Sequence, residues 1–282
     1  MGLFDRLRSA APPPGKPDTS GQDATRLIEQ GHALQAQGKL DEAMRCYREA
    51  IRLAPNPARG HLNRGNVLLL QGDLEGALEA FRTALVHQPD YAGAWYNIGN
   101  ALLGNRQLDE AVASYRNALA INPDYAEVHC SLGVALKELG QIDAAVACFR
   151  RALQIAPGLA EAKTNLDAVI RDVFNQGHVL MGLGQFDGAA ENFHRVLAIE
   201  PDYAEAHIDF GVALKNLGQL EGAAASYRRA LAIDPDSAMA HSNLGVTLYE
   251  LQQLDDALAS CRRAVELIPE FAIAHSNLGN AS

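Results

Sequence analysis

The chain alternates between two kinds of amphipathic segment. In the stretch from Ala204 to Pro235, Ala204, His207, Phe210, Gly211 and Leu214 fall on one stripe at spacings of three and four. After Gly218 and Gln219 the same spacing returns with Leu220, Ala223, Ala224, Tyr227, Ala230 and Leu231. Such spacing belongs to a helix with one buried face, so the stretch predicts two helices joined by a tight turn and packed antiparallel. Pro235 closes the second, because proline lacks the amide hydrogen of the helix ladder and pushes the residue before it out of the helical region.

The same pattern fills almost the whole chain. Pro55, Pro89, Pro123, Pro157, Pro201, Pro235 and Pro269 step by 34 residues except for one step of 44, from Pro157 to Pro201. In the same frame recur Gly31, Gly65, Gly99, Gly133, Gly177, Gly211, Gly245 and Gly279, an alanine twelve positions later from Ala43 to Ala257, and an aromatic at Tyr47, Phe81, Tyr115, Phe149, Phe193 and Tyr227. This combination resembles the tetratricopeptide repeat family over about residues 24 to 282. The resemblance implies an all-α fold, a right-handed superhelical solenoid of helix-turn-helix repeats in which each pair buries its stripe against the next and first helices line a concave face. It also places Gly211 and Ala223 where the two helices of a repeat cross, with Tyr227 filling the gap beyond. The expected organisation is a flexible tail over residues 1–22, repeats one to four over 23–157, and over 158–282 repeats five to seven with the first helix of an eighth. Arg106 and Gln252 stand where other repeats have a turn glycine. Cys261 replaces the second-helix aromatic and Val196 the small residue found elsewhere as Ala230, which predicts looser packing in repeats seven and five.

The longer step comes from ten extra residues in the first helix of repeat five. Asp167 takes the glycine position counted forward from Ala160, whereas Gly177 takes it counted back from Pro201. Leu166, Val169, Ile170, Val173, Phe174, Gly177 and Leu180 keep helical spacing with no proline between them, so the reading is one long helix and not a kinked pair. Ten residues lengthen it by about 15 Å and turn its stripe to roughly 80° short of three full turns.

Composition narrows the function. Lys and Arg total 24 against 34 Asp and Glu, a formal charge of -10 with no basic stripe, which repels a phosphate backbone and argues against nucleic acid. Cys46, Cys130, Cys148 and Cys261 show no paired spacing and sit in helical patterns, as small buried hydrophobes do in a reducing compartment. Neither a membrane span nor a secretory signal is evident, so the expected location is cytoplasmic. The opening MGLFDRLRSA can form a short amphipathic helix with Leu3, Phe4 and Leu7 opposite Arg6 and Arg8, but a disordered tail leading into the linker from Ala11 to Gly21 is the preferred reading.

Catalytic chemistry is not expected. There is no phosphate-binding glycine loop, no GxSxG and no HExxH, and the acidic residues pair with Arg and Lys at helical spacing. His61, His129, His207, His241 and His275 share one repeat position. Helix axes in contact lie about 8–10 Å apart, too far for equivalent imidazoles to converge on one zinc at about 2 Å. They read as packing residues like Trp95, and neither a metal nor a cofactor is expected.

The resemblance assigns the position two before the glycine to the groove. That row holds Glu29, Asn63, Asn97, Ser131, Asn175, Asp209, Asn243 and Asn277. An amide both donates and accepts, so a row of asparagines can hold an extended peptide backbone without reading its side chains. The row and its surroundings, as in AHSNLGN, resemble the repeats of the O-linked N-acetylglucosamine transferase family, in which asparagines hold a substrate peptide. Leu62, Tyr96, Phe174 and Ile208 add apolar groove positions, and Arg59, Glu127, Arg171, Glu205, Lys215 and Glu250 add charge of both signs. A clamp for chaperone carboxylate tails requires Lys three before the glycine, where the chain has Ile28, Leu62, Tyr96, Cys130, Phe174, Ile208, Ser242 and Ser276. The candidate partner-binding residues are therefore Asn63, Asn97, Asn175, Asn243, Asn277, Tyr96, Phe174 and Ile208. The expected function is a non-enzymatic scaffold that binds an extended peptide or a helix of a partner protein. The alternative is the substrate-recruiting region of a larger bacterial glycosyltransferase or methyltransferase. From Phe271 to Ser282 the first helix of an eighth repeat begins with no second helix to cover it. Either the protein continues or Leu278 and its neighbours meet another chain end to end.

Overall fold

A computed structural model describes residues 20–54 and 56–270. The N-terminal tail, Asn277 and the start of an eighth repeat lie outside the described residues. Within them are fourteen helices: α1 Ser20–Ala36, α2 Leu40–Leu53, α3 Ala58–Leu70, α4 Leu74–His87, α5 Ala92–Gly104, α6 Leu108–Ile121, α7 Ala126–Glu138, α8 Ile142–Ile155, α9 Ala160–Gly182, α10 Phe186–Ile199, α11 Ala204–Asn216, α12 Leu220–Ile233, α13 Ala238–Glu250 and α14 Leu254–Leu267. The chain divides into two compact units, Met1–Ala162 and Lys163–Ser282, the division falling in the first turn of α9. In the first unit each odd helix packs on the even helix after it, each even helix on the next odd one, and α1, α3, α5 and α7 also touch in succession. The second unit shows the same scheme from α10 to α14, with α11 against α13. Helix α9 runs unbroken for 23 residues, ten more than the 13 of α11.

Backbone chemistry fixes where each helix stops. First helices end on a left-handed residue, Gly38, Gly72, Gly140, Gly184 and Gly218 at φ between 73° and 82°. The next amide then reaches back to the last turn, as Gln219 N–H does to Leu214 O at 2.9 Å, closing carbonyls that would otherwise lack donors. Arg106 and Gln252 adopt the same conformation at φ 64° and 60°, a strained state for a residue with a Cβ. Second helices end in an extended residue before proline, such as Asn122 at φ -128° before Pro123.

The core is a row of sockets. Tyr47, Phe81, Tyr115, Phe149, Phe193 and Tyr227 are each 0% exposed, and each ring lies on the glycine sixteen residues before it. A Cβ at Gly133 would stand 2.6 Å from Phe149 Cε1, and equivalent clashes occur at Gly31, Gly65, Gly99, Gly177 and Gly211. The glycine therefore makes room for the aromatic ring itself, which corrects the expectation that Tyr227 fills a gap beyond the crossing. Full burial of such a ring stabilises by about 1.5–3 kcal/mol. Packing in repeats five and seven is as close as elsewhere, against expectation. Val196 and Cys261 are both 0% exposed. At Gly245 an added Cβ would meet Cys261 Sγ and, at 3.2 Å, both Ala257 O and Cys261 N, so the smaller side chain lets the two backbones close up.

Candidate functional site

The asparagine row sits on the odd-numbered helices, where successive first helices touch. Its members differ more than equal spacing suggests. Asn63 is 6% exposed and its Nδ2 has no hydrogen-bond partner, whereas Asn97 and Asn243 are half-buried and Asn175 is exposed. Among the described asparagines of the row, Asn63 is thus the sheltered one. This residue lines a cleft of about 360 Å³ with His32, Gln35, Ala36, Asn66 and Leu70, which shelters its amide.

At three places the row also meets a residue that sequence reasoning did not find, the one just after the glycine of the preceding repeat. Asn97 Nδ2 donates to Asn66 Oδ1 at 2.8 Å across 31 residues. His178 Nε2 and Asp209 Oδ2 stand 3.2 Å apart with the same separation in sequence. In a third case the Tyr115 hydroxyl donates to Asn100 Oδ1 at 2.8 Å, with Ser131 also bonded to that hydroxyl. The signal was present as a polar residue after Gly65, Gly99 and Gly177, but only stacking reveals its partner.

Two apolar candidates serve packing more than presentation. Ile208 is 8% exposed and joins Leu214, Tyr227 and Leu244 in the core of the second unit. Phe174 is 7% exposed, its ring centroid 4.6 Å from His178, 5.1 Å from Tyr203 and 5.6 Å from Phe193. Its remaining edge lines a cleft of about 490 Å³ with Asp167, Ile170, Arg171, Asn175, Glu200 and Tyr203. Tyr96 is half-buried, 5.4 Å from the Tyr125 ring.

The recurrent histidines latch loops. Nε2 of His129, His207 and His241 donates to the carbonyl oxygen of the proline six residues earlier, at 2.9, 2.9 and 3.1 Å. His61 instead stacks on His87 at 5.5 Å, and burial, followed by the charges of His87 and Arg64, pulls its pKa below the ordinary range. A recurring Pro-to-His interval of six was the available clue. No group of three or more potential metal ligands converges among the described residues.

Charge gathers at one place in the second unit. Burial, with Glu205 adding and His178 opposing, pushes the Asp209 carboxyl up to about 6. Its Oδ2 is buried and accepts no hydrogen bond. Tyr227, 0% exposed, likewise has an unpartnered hydroxyl, and its pKa is raised by burial and then by the charges of Asp209 and Glu250. The equivalent Tyr115 hydroxyl has Asn100, but α11 carries Val212 at that position. Lys215 bridges α11 to α13 through Glu250 at 3.1 Å.

Paired antiparallel helices, a glycine socket in every pair and a shared first-helix face define a helical-repeat protein. Tetratricopeptide repeat models match residues 28–94, 80–113, 107–140, 126–159, 180–225, 211–252 and 238–271. The chain belongs to the tetratricopeptide repeat family. Among solved structures it is similar to a tetratricopeptide repeat protein from Parabacteroides merdae, with 17% identity, 93% of this chain and 99% of that one covered, and a TM-score of 0.45. The TPR2AB domain of yeast Sti1, solved in a complex with pHSP90, shares 18% identity over 93% of this chain and 99% of that one, with a TM-score of 0.48. YrrB, a repeat protein with an unusual peptide-binding site, shares 25% identity over 71% of this chain and 97% of that one, with a TM-score of 0.35. No curated protein matches the chain. Among the described residues no helix is long and apolar enough to cross a membrane.

Proposed function

We propose that this chain is a non-catalytic interaction scaffold whose first-helix faces bind an extended segment of a partner protein. The observation that carries the reading is the row of polar side chains on those faces, with Asn97 and Asn243 half-buried and Asn175 exposed while the aromatic sockets beneath them are closed. Amides at intervals of one repeat can bond a peptide backbone whatever its side chains, and the resemblance of the row to O-linked N-acetylglucosamine transferase repeats supports the same chemistry. Asn97 supplies a free carbonyl oxygen while its Nδ2 is held by Asn66. The test is selection from a displayed library of random peptides, followed by affinity measurements with the selected peptides. Asn97→Ala or Asn243→Ala should weaken a peptide bound to the respective unit by about 0.5–1.5 kcal/mol per lost bond. Unchanged affinity in both variants, or failure of the chain to select any peptide, refutes the reading.

A further inference from the structure

The seam between α1 and α3 is open where the next one is closed. Between α3 and α5, Asn97 Nδ2 donates to Asn66 Oδ1 at 2.8 Å. The corresponding residues one repeat earlier are Asn63 and His32, with the same separation in sequence. Nothing joins them, since Asn63 Nδ2 has no partner and the His32 ring meets Tyr47 edge-on at 5.9 Å. The space at this seam is the cleft of about 360 Å³ that Gln35, Ala36, Asn66 and Leu70 complete. Its polar lining has hydrogens to give and few oxygens to offer. Gln35 Oε1 already accepts from the Tyr47 hydroxyl at 3.0 Å, and Asn66 Oδ1 from Asn97, so the amide hydrogens of both are left over. Asn63, 6% exposed and part of the cleft wall, adds a donor that no acceptor within the fold receives, an unfavourable state for a buried amide.

Charge narrows what can fill the cleft. Neither a carboxylate nor a Lys or Arg lines it, Glu29 stands exposed one turn before His32 on α1, and the chain carries a formal charge of -10. A carboxylate would enter with no cation to meet it, and an ammonium or guanidinium with no carboxylate. An uncharged acceptor suits the lining, and Ala36 and Leu70 offer an apolar wall to a methylene stem. A side-chain amide has that make-up, with hydrogens of its own for the second lone pair of Asn66 Oδ1.

We propose that the α1–α3 cleft is a specificity pocket for a Gln or Asn side chain of the bound segment, whose amide oxygen accepts from Asn63 Nδ2 with Gln35 or Asn66 as second donor. The soft terminal torsion of Asn63 lets its amide turn to meet the ligand. The proposal rests on the reading of the first-helix faces as peptide-binding and adds to it a preference in sequence. Asn66 forms one wall of the cleft and holds Asn97, so a backbone gripped at Asn97 passes beside the opening. Asn97 grips the backbone there, and Asn63 reads a side chain.

A phage-displayed library of random peptides, selected in parallel on the wild-type chain and on Asn63→Leu, tests this. Leucine keeps much of the volume of Asn63 and removes its amide; a thermal melt checks the fold, with Asn63→Ala as the second variant. Wild-type peptides that lose affinity on Asn97→Ala should share a Gln or Asn at one fixed position, and on Asn63→Leu that preference should vanish. In a fluorescently labelled peptide, replacing this residue by norleucine should weaken binding to the wild type about three- to tenfold, with little further loss on Asn63→Leu. Glutamate at the same position should also bind more weakly than glutamine. Peptides that depend on Asn97 but show no amide preference, that prefer an acidic residue there, or that give additive losses in the cycle overturn the pocket and leave the peptide-binding face standing. Recovery of no peptide that depends on Asn97 or Asn243 overturns both.

Discussion

Two glycines of one helix should respond oppositely to the same added methyl. In α9, a Cβ on Gly177 would stand 2.6, 2.9 and 3.0 Å from Cε1, Cζ and Cδ1 of Phe193, whereas a Cβ on Gly182 would meet nothing within 4 Å. Unstrained carbon contacts lie at about 3.5–4.0 Å, so Gly177→Ala requires the ring or the helix to retreat by most of an ångström. The ring has little room to retreat, being packed edge-on by Phe174 at 5.6 Å and His178 at 5.4 Å. Overpacking of this kind costs about 1–3 kcal/mol, against which alanine returns about 0.8–1.0 kcal/mol of helix propensity. Gly177→Ala should therefore lose up to about 2 kcal/mol, and Gly182→Ala should gain up to about 1 kcal/mol because only the propensity gain applies to it. Urea denaturation followed by circular dichroism, with the slope checked for constancy, measures both. A Gly177→Ala chain at least as stable as the wild type, or a Gly182→Ala chain clearly weaker, refutes the socket argument.

Asp209 gives a pH test. Its carboxyl is raised from 3.8 to about 6 in the folded chain, first by burial, with Glu205 raising and His178 lowering it. The folded state therefore holds the proton more tightly than the unfolded one, so this group's contribution is fully present below pH 3.8 and is lost as pH rises to about 6. Asp209→Asn should be more stable than the wild type by about 1–2 kcal/mol at neutral pH, after discounting for solvent screening, with the gap closing near pH 4. A gap that does not change with pH contradicts this. Gln252→Gly relieves a left-handed residue at φ 60° and should raise stability by about 0.5–1 kcal/mol in the same denaturation assay; a loss would mean that the Gln252 side chain contributes more than its strain.

The repeat pattern made the helix pairs legible because their determinants are local. A glycine and an aromatic sixteen residues apart and a proline at the end of the pair all act within one repeat, so Gly211, Tyr227 and Pro235 could be read from the chain. The strained turns at Arg106 and Gln252 were legible too, since the frame demanded a turn residue there whatever its identity. The first-helix face was harder to read. Whether Asn63 is sheltered and Asn175 exposed depends on neighbours a full repeat away, and the Asn66–Asn97 and His178–Asp209 contacts join residues with no shared local signal. Phe174 and Ile208 were assigned to the groove by position, but a large apolar side chain beside an open face turns into the packing whenever rings such as Tyr203 and Phe193 can receive it.

The sockets also bear on how such a chain can grow. Ring and glycine lie within one 34-residue stretch, as do the His129–Pro123 latch and the Arg151–Asp124 pair. A duplicated copy of that stretch arrives with its interior already matched, and nothing elsewhere has to change for it to fold as a pair of helices. The contacts that join one copy to the next, Asn66–Asn97, Arg106–Glu138 and Lys215–Glu250, are chemically unlike one another. Copying preserves the inside of each repeat and leaves the seams free to diverge. The Asn66–Asn97 seam lies in the asparagine row itself, so new recognition can arise there without disturbing the sockets beneath.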